Sequence, residues 1–296
     1  MIFEPRSIFE AHSSYVIGLL FSHDNRTLIS SGMDNAIKLW SVPGWALVKT
    51  LEGHAKSVNS LSLSPDGKLL ASGSSDNTVK LWSLPDGHLL HSLQDRKKVV
   101  SVIEFSPDGK GIASGSYGGK VMIWTTSGES VIGFQANQNK NLSSLAFSPN
   151  GDILATSGLG DIIAIWEIPS GNQNQTLAGH KTAVGSLTFL DAGSQLVSLD
   201  YEGTVLFWDA HTWKPIRTYP SRNARVRGLA FSPDEQITAL SLESKIEFRA
   251  TSDWSLLAEL VLGTKVVNGM AFSPDGEYFA AGAADRKIRV WELPLS

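Results

Sequence analysis

A tryptophan at the end of a strand-like segment recurs at Trp40, Trp82, Trp124, Trp166 and Trp208, each 42 residues after the one before, and once more at Trp291. The last gap is 83 residues, almost two steps. Aligning Lys245-Ile246-Glu247-Phe248-Arg249 with Lys287-Ile288-Arg289-Val290-Trp291 recovers the missing unit, with Arg249 in place of the tryptophan. Seven such units fill nearly all 296 residues. Length alone would suggest about two domains. A repeat extends one architecture instead of adding a second core, so residues 1–296 are expected to form a single domain.

Within a unit the pattern is that of short antiparallel strands. From Val58, Leu61 and Leu63 alternate with serine, and Ser64-Pro65-Asp66-Gly67 makes a turn. Leu69 to Gly73 is a second strand, Ser75-Asp76-Asn77 a second turn, Val79 to Trp82 a third strand and Leu89 to Leu93 a fourth. Proline presets the turn dihedral and glycine accepts φ > 0, which gives the turn a mechanism. The turn returns as Ser106-Pro107-Asp108-Gly109, Ser148-Pro149-Asn150-Gly151, Ser232-Pro233-Asp234-Glu235 and Ser273-Pro274-Asp275-Gly276. Four short strands every 40 to 45 residues or so is the signature of a propeller blade. The expected fold is therefore all-β: a seven-bladed β-propeller of four-stranded antiparallel blades. The chain reaches Leu293 just after a third strand, and Ser7 to Ala11 lies where an outer strand precedes His12. The N-terminal strand is expected to complete the last blade and close the ring, removing an exposed edge.

Over its whole length the chain resembles the WD-repeat family. The resemblance rests on Gly53-His54, Ser72, Asp76 and Trp82, matched by His12, Ser30, Asp34 and Trp40 in the first unit. It implies a buried tetrad in which His bonds Asp and Ser, and Ser bonds Trp; buried polar groups must find such partners. Unit five keeps His180, Ser198 and Trp208 with Glu202 at the Asp position, units three and four carry Gly118 and Gly160 there, and unit seven keeps only Asp285 and Trp291. The literal Trp-Asp pair occurs once, at Trp208-Asp209. The regular Ser-Pro-Asp-Gly and Leu-Ala-Ser-Gly phrasing resembles bacterial members, which often sit within larger regulatory proteins, so the chain could be a domain of one.

Candidates for chemistry come out poorly. With no cysteine there is no disulfide, thiol catalysis or Cys-ligated zinc. His12, His54 and His180 each fall 28 residues before a blade tryptophan, and a set repeated blade by blade is structural, whereas a catalytic set is unique and exposed. His88 and His91, three apart on a strand, point to opposite faces and make no metal pair. Gly118-Gly119 and Gly158-Leu159-Gly160 read as turns, not phosphate cradles. No catalytic residue, cofactor or metal is expected. A propeller hydrolase remains the alternative, and would need a non-repeating acid, base or metal set facing the channel. The net charge of −4 argues weakly against a broad polyanion surface, and no stretch has the apolar length of a signal peptide or membrane span. A cytoplasmic, monomeric scaffold is the expectation.

The resemblance also implies where partners dock: on the face bearing the loops that enter each inner strand, over the central channel. Carried over residue by residue, the positions are Tyr15, Ile17 and Met33; Ser57, Asn59 and Ser75; Val99, Ser101 and Tyr117; Asn141, Ser143 and Leu159; Ala183, Gly185 and Tyr201; Arg225, Arg227 and Leu242; Val266, Asn268 and Ala284. Tyr15, Met33, Tyr117, Leu159, Tyr201 and Leu242 could form a ring of contacts for a protein or peptide, or each could pack on a neighbouring loop. Arg222, Arg225 and Arg227 form one basic group and Arg96, Lys97 and Lys98 another, able to receive acidic groups of a partner or to stay solvated. Nucleic-acid binding through these clusters is a further alternative. Glu243 stands six before Arg249, suggesting an ion pair in place of the Asp–Trp contact. Trp45, Trp213 and Trp254 follow their third strands by five residues, and either cap the opposite rim or expose a second docking site.

Overall fold

The structure, a computed structural model, describes residues 4–94, 98–137, 140–220, 225–263 and 266–293. It contains seven four-stranded antiparallel sheets, six of them formed by consecutive strands. The first runs Val16–Phe21, Thr27–Gly32, Ile37–Ser41 and Leu47–Leu51. The seventh takes Val267–Phe272, Tyr278–Ala283 and Lys287–Glu292, and is completed by Ser7–Glu10 from the N-terminus. This is the seven-bladed β-propeller, with the two ends of the sequence hydrogen-bonded in one blade.

By packing, the chain divides into two compact units, Ser62–Arg225 and the combination of Met1–Leu61 with Val226–Ser296. In each unit the second and third strands of a blade are buried on both faces and the fourth is largely exposed. Burial follows composition: Leu70, Ala71, Leu81 and Trp82 are enclosed, as are Leu28, Ile29, Ile37 and Leu39 one blade earlier. Such near-continuous apolar strands fit sheets covered on both faces.

The Ser-Pro-Asp-Gly turns show why these residues recur. Ser64 Oγ donates to Asp66 Oδ1 at 2.7 Å and accepts the Leu69 N–H at 2.9 Å, while Asp66 Oδ1 accepts the Lys68 N–H at 3.0 Å. Ser106 and Asp108 repeat the arrangement at 2.6 Å, and Ser273 with Asp275 at 2.5 Å. Each turn thus satisfies its own polar groups without help from the core.

Two kinds of bulge recur among the blades. Inner-strand register slips between Val16 and Gly18, Val100 and Val102, Leu142 and Ser144, Val184 and Ser186, and Val267 and Gly269. Outer-strand register slips opposite the blade tryptophan, leaving Val48, Leu90, Val131 and Leu257 unpaired and exposed on the rim. Bulges twist an edge strand away from further pairing.

Ser7↔Val290 through Glu10↔Lys287 is the register of the closing strand. Phe9 from this strand packs against Trp40, with ring centroids 4.8 Å apart, and the Ala11 and His12 N–H groups both reach the Arg286 carbonyl. Removing residues 1–11 strips a ladder, an aromatic contact and His12 at once. The melting temperature should drop by on the order of 10 °C in a calorimetric scan of the truncated chain, and an unchanged value would show that the strand is dispensable.

Candidate functional site

The polar interior is built around the tryptophan side chains. In blade one the Trp40 indole N–H donates to Ser30 Oγ at 2.9 Å, His12 Nε2 lies 2.8 Å from the same oxygen, and His12 Nδ1 lies 2.8 Å from Asp34 Oδ1. Gly32 makes room for this: a Cβ there would sit 2.5 Å from both His12 Nδ1 and Asp34 Oδ1. Burial lowers the His12 pKa against the pull of Asp34. Burial also works to raise the Asp34 carboxyl, yet the Ser13 N–H and His12 hold it below its usual range.

Blade five carries the same set with a different acid. His180 Nε2 lies 2.7 Å from Ser198 Oγ, and Trp208 Nε1 donates to that oxygen at 2.8 Å. The carboxylate at His180 Nδ1 is Asp200, 3.1 Å away, and not Glu202, which stands exposed in the turn. Asp200 is the last residue of its strand, directly before the hairpin turn, and also accepts the Thr204 N–H at 2.8 Å, so one carboxylate serves both the histidine and the turn. In blade two Trp82 donates to Ser72 at 2.9 Å, and Asp76 accepts from Thr78; His54 is buried.

The indole bond persists in blades that lack the histidine. Trp124 donates to Ser114 at 2.9 Å and Trp166 to Thr156 at 3.0 Å, in blades without the His or Asp. The signal available was a hydroxyl residue ten positions before the tryptophan in all five blades. In blade six the partner of Arg249 is Glu247, not Glu243: Arg249 Nε donates to Glu247 Oε2 at 2.9 Å and Nη1 to the Trp254 carbonyl at 2.7 Å. Residues two apart on a strand share a face, which places this buried pair side by side. In blade seven Asp285 holds Arg289 at 2.5 Å.

The loop end of the blades is where side chains are offered outward. The Met33 N–H donates to the Tyr15 carbonyl at 2.9 Å, Tyr117 to Val99 at 2.9 Å, Leu159 to Asn141 at 2.9 Å and Tyr201 to Ala183 at 3.0 Å. In these four blades one bond therefore ties the loop entering the inner strand to the hairpin between the next two. Beside it lies the inner-strand bulge, whose unpaired residues include Ile17, Ser101, Ser143 and Gly185. Tyr15, Met33, Tyr117, Leu159 and Tyr201 are 38% to 49% exposed.

In the unit Ser62–Arg225, three of these side chains occur on successive blades and are linked. Asn141 Oδ1 accepts the Gly118 N–H at 3.3 Å while its carbonyl holds Leu159, and the Tyr201 hydroxyl donates to Ser143 Oγ at 3.3 Å. The Tyr201 ring lies over Gly185, where a Cβ would stand 2.9 Å from its edge. Lys98, Lys140 and Arg225 are exposed in this unit. In the other unit Arg227 is exposed, but Leu242 is only 8% exposed and pairs with Val226. The reason is a hairpin with only Glu243 and Ser244 between Leu242 and Lys245, which leaves Leu242 as the last strand residue. Glu243 takes the outward place, at φ 37°. Arg96, Lys97 and Arg222 lie outside the described residues.

Trp45, Trp213 and Trp254 are half-buried, and all three adopt positive φ, at 54°, 56° and 64°. Gly87 and Gly171 occupy the same turn position at 63° and 70°. A tryptophan accepts this costly backbone where packing returns the cost: Trp45 meets Tyr278 edge-on with centroids 5.3 Å apart, and Trp213 packs against the core around Leu196.

The family model for the WD domain, G-beta repeat, matches residues 3–41, 45–83, 87–125, 128–167, 171–209 and 254–292. The chain belongs to the WD40 family. Its one unmatched unit is the blade in which the Arg249–Glu247 pair stands at the tryptophan position. No curated protein matches the chain. WD40 propellers are interaction scaffolds, and among the described residues no group of three or more acidic or histidine side chains could hold a metal. No helix among them is long and apolar enough to cross a membrane.

One titratable WD40 side chain gave no signal in the sequence. Glu104 follows Ser62 by one repeat; Ser62 Oγ accepts the Phe105 N–H at 2.9 Å, and Glu104 accepts the Phe147 N–H one blade on. Glu104 Oε2 is sealed from solvent with no hydrogen-bond partner among the described residues. The strands packed on it, Leu69–Ser74, Gly111–Ser116 and Leu142–Phe147, carry no titratable residue. Burial pushes its carboxyl up to about 8, against the Phe147 N–H. The folded protein therefore holds a proton that the unfolded chain releases near the ordinary value of 4.5, and stability falls as pH rises between the two. Chemical denaturation from about pH 5 to pH 9 should show a Glu104→Gln variant gaining on the parent toward alkaline pH, by on the order of a few kcal/mol. Parallel profiles would mean that the carboxyl ionises freely in the folded state.

Proposed function

We propose that this WD40 chain works as one non-enzymatic domain that binds a peptide or protein segment on its loop face over the central channel, without cofactor or metal. The observation that carries this reading is the set of exposed Tyr117, Leu159 and Tyr201, presented on successive blades and held by Asn141 and Ser143. Loops fixed before binding lose little entropy on contact, and tyrosine adds large apolar area with a polar tip. Tyr15 and Met33 offer the same kind of contact from the first blade.

Acidic groups on the partner suit this face. Lys98 and Lys140 are exposed beside the tyrosine and leucine positions, and Arg225 and Arg227 flank the start of the sixth inner strand. Charges at an interface rim set approach and register more than affinity. The reading is of a cytoplasmic monomer.

The test is capture of partners from the source cell on the immobilised chain, repeated with Tyr117→Ala, Leu159→Ala and Tyr201→Ala. Each substitution should weaken retention by about tenfold while the melting temperature stays unchanged. Retention unaffected by the triple variant would remove the loop face from consideration. Retention collapsing with modest added salt would favour a nucleic-acid ligand.

A further inference from the structure

Blade six differs from blades one to five at a second place, on its rim; in blade seven the closing strand sets Ser7 against Val290. Across from the residue that precedes the third-strand tryptophan, the outer strand carries a long side chain in five blades: Leu39↔Lys49, Leu81↔His91, Ile123↔Ile132, Ile165↔Gln175 and Phe207↔Arg217. Arg217 shows the consequence, with its guanidinium 4.1 Å from the centroid of the Phe207 ring. In blade six the pair is Phe248↔Ala258. A methyl group cannot cover a phenyl ring, and the space stays open.

The result is a cleft of about 220 Å³ lined by Ile237, Phe248, Leu257, Ala258, Phe272 and Leu293, with Trp291 at its floor. That exceeds the ~150 Å³ of a cavity that binds benzene, so one bulky side chain fits. Leu257, the bulged residue of the outer strand, is 54% exposed at its lip, and Leu256 beside it is 49% exposed. Exposed apolar area continuous with an apolar hole is a surface built for contact.

Charge selects the occupant. The loops at this end of blades six and seven carry exposed Asp234, Asp253, Asp275, Glu277 and Glu292. Backbone bonds bring them to the cleft: the Leu293 N–H donates to the Glu277 carbonyl at 2.8 Å and the Thr251 N–H to the Gln236 carbonyl at 2.9 Å. Among the described residues of these two blades and the closing segment the cations at this end are Arg6, paired with Glu292, and Arg249, buried on Glu247; Arg26, in the adjoining blade-one turn whose Asn25 bonds Asp275, sits beside Asp24. An apolar hole with an acidic rim fits an apolar anchor with basic neighbours.

We propose that the cleft between blades six and seven docks an extended peptide that inserts one bulky apolar side chain and carries Lys or Arg on both flanks. This surface is separate from the loop face and stands whether or not that face binds. The probe is a fluorescein-labelled Lys-Lys-Leu-Phe-Lys-Lys peptide, followed by fluorescence anisotropy against the full chain. Glu-Glu-Leu-Phe-Glu-Glu and Lys-Lys-Gly-Ser-Lys-Lys peptides serve as comparisons.

The basic apolar peptide should bind saturably, and both comparison peptides should bind about tenfold or more weakly. Ala258→Arg, which copies the cover Arg217 gives Phe207, should weaken the first peptide by a similar factor, as should Leu257→Ser at the exposed lip. Tyr117→Ala and Tyr201→Ala should leave it unchanged. The proposal fails if the basic apolar peptide does not bind, if the acidic peptide binds equally, or if Ala258→Arg and Leu257→Ser both bind like the parent. It also fails if binding emerges only after residues 294–296 are deleted, since the chain's own end would then be the occupant.

Discussion

A tryptophan indole N–H buried between packed sheets must find an acceptor, and in five blades that acceptor is a hydroxyl ten residues earlier on the neighbouring strand. Leaving such a donor unpaired costs about 1–3 kcal/mol, enough to matter to each blade. The bond also fixes the ring, because register places Leu28 opposite Trp40 and Leu70 opposite Trp82 while the hydroxyl reaches from two residues further along. Histidine and aspartate extend this pin toward the loop end in blades one and five, and blades three and four hold it without them. Blade six replaces the pin with an ion pair between Arg249 and Glu247.

Most of the architecture was legible because period and turn chemistry are backbone requirements. The 42-residue step, the Ser-Pro-Asp-Gly turns and the location of the closing strand all follow from spacing and residue type. The misreadings have separate causes, and the first is that hairpin length is not written in the strand pattern. Blade six spends one residue fewer between its second and third strands, so Leu242 is drawn inside and Glu243 pushed out. In blade five a carboxylate two residues earlier reaches the same histidine nitrogen, and Asp200 takes the role that alignment gives to Glu202. The positive φ of Trp45, Trp213 and Trp254 was equally hidden, since glycine is the ordinary occupant of that turn position.

What the blades offer outward depends on the same economy. Interiors that satisfy their own polar groups leave hairpin-tip side chains such as Tyr117 and Leu159 exposed on a scaffold that does not need them. Glu104 and Ala258 are exceptions of opposite kind. One places a carboxyl where its neighbours carry none, and the other withholds a side chain where five blades supply one.

The most direct measurement of the central claim is hydrogen exchange at the tryptophan indoles, followed by two-dimensional NMR. The indole protons of Trp40, Trp82, Trp124, Trp166 and Trp208 should exchange only through opening of the fold, far more slowly than those of the half-buried Trp45 and Trp213. If the five exchanged as readily as the two, the hydroxyl pins would not be holding the blades.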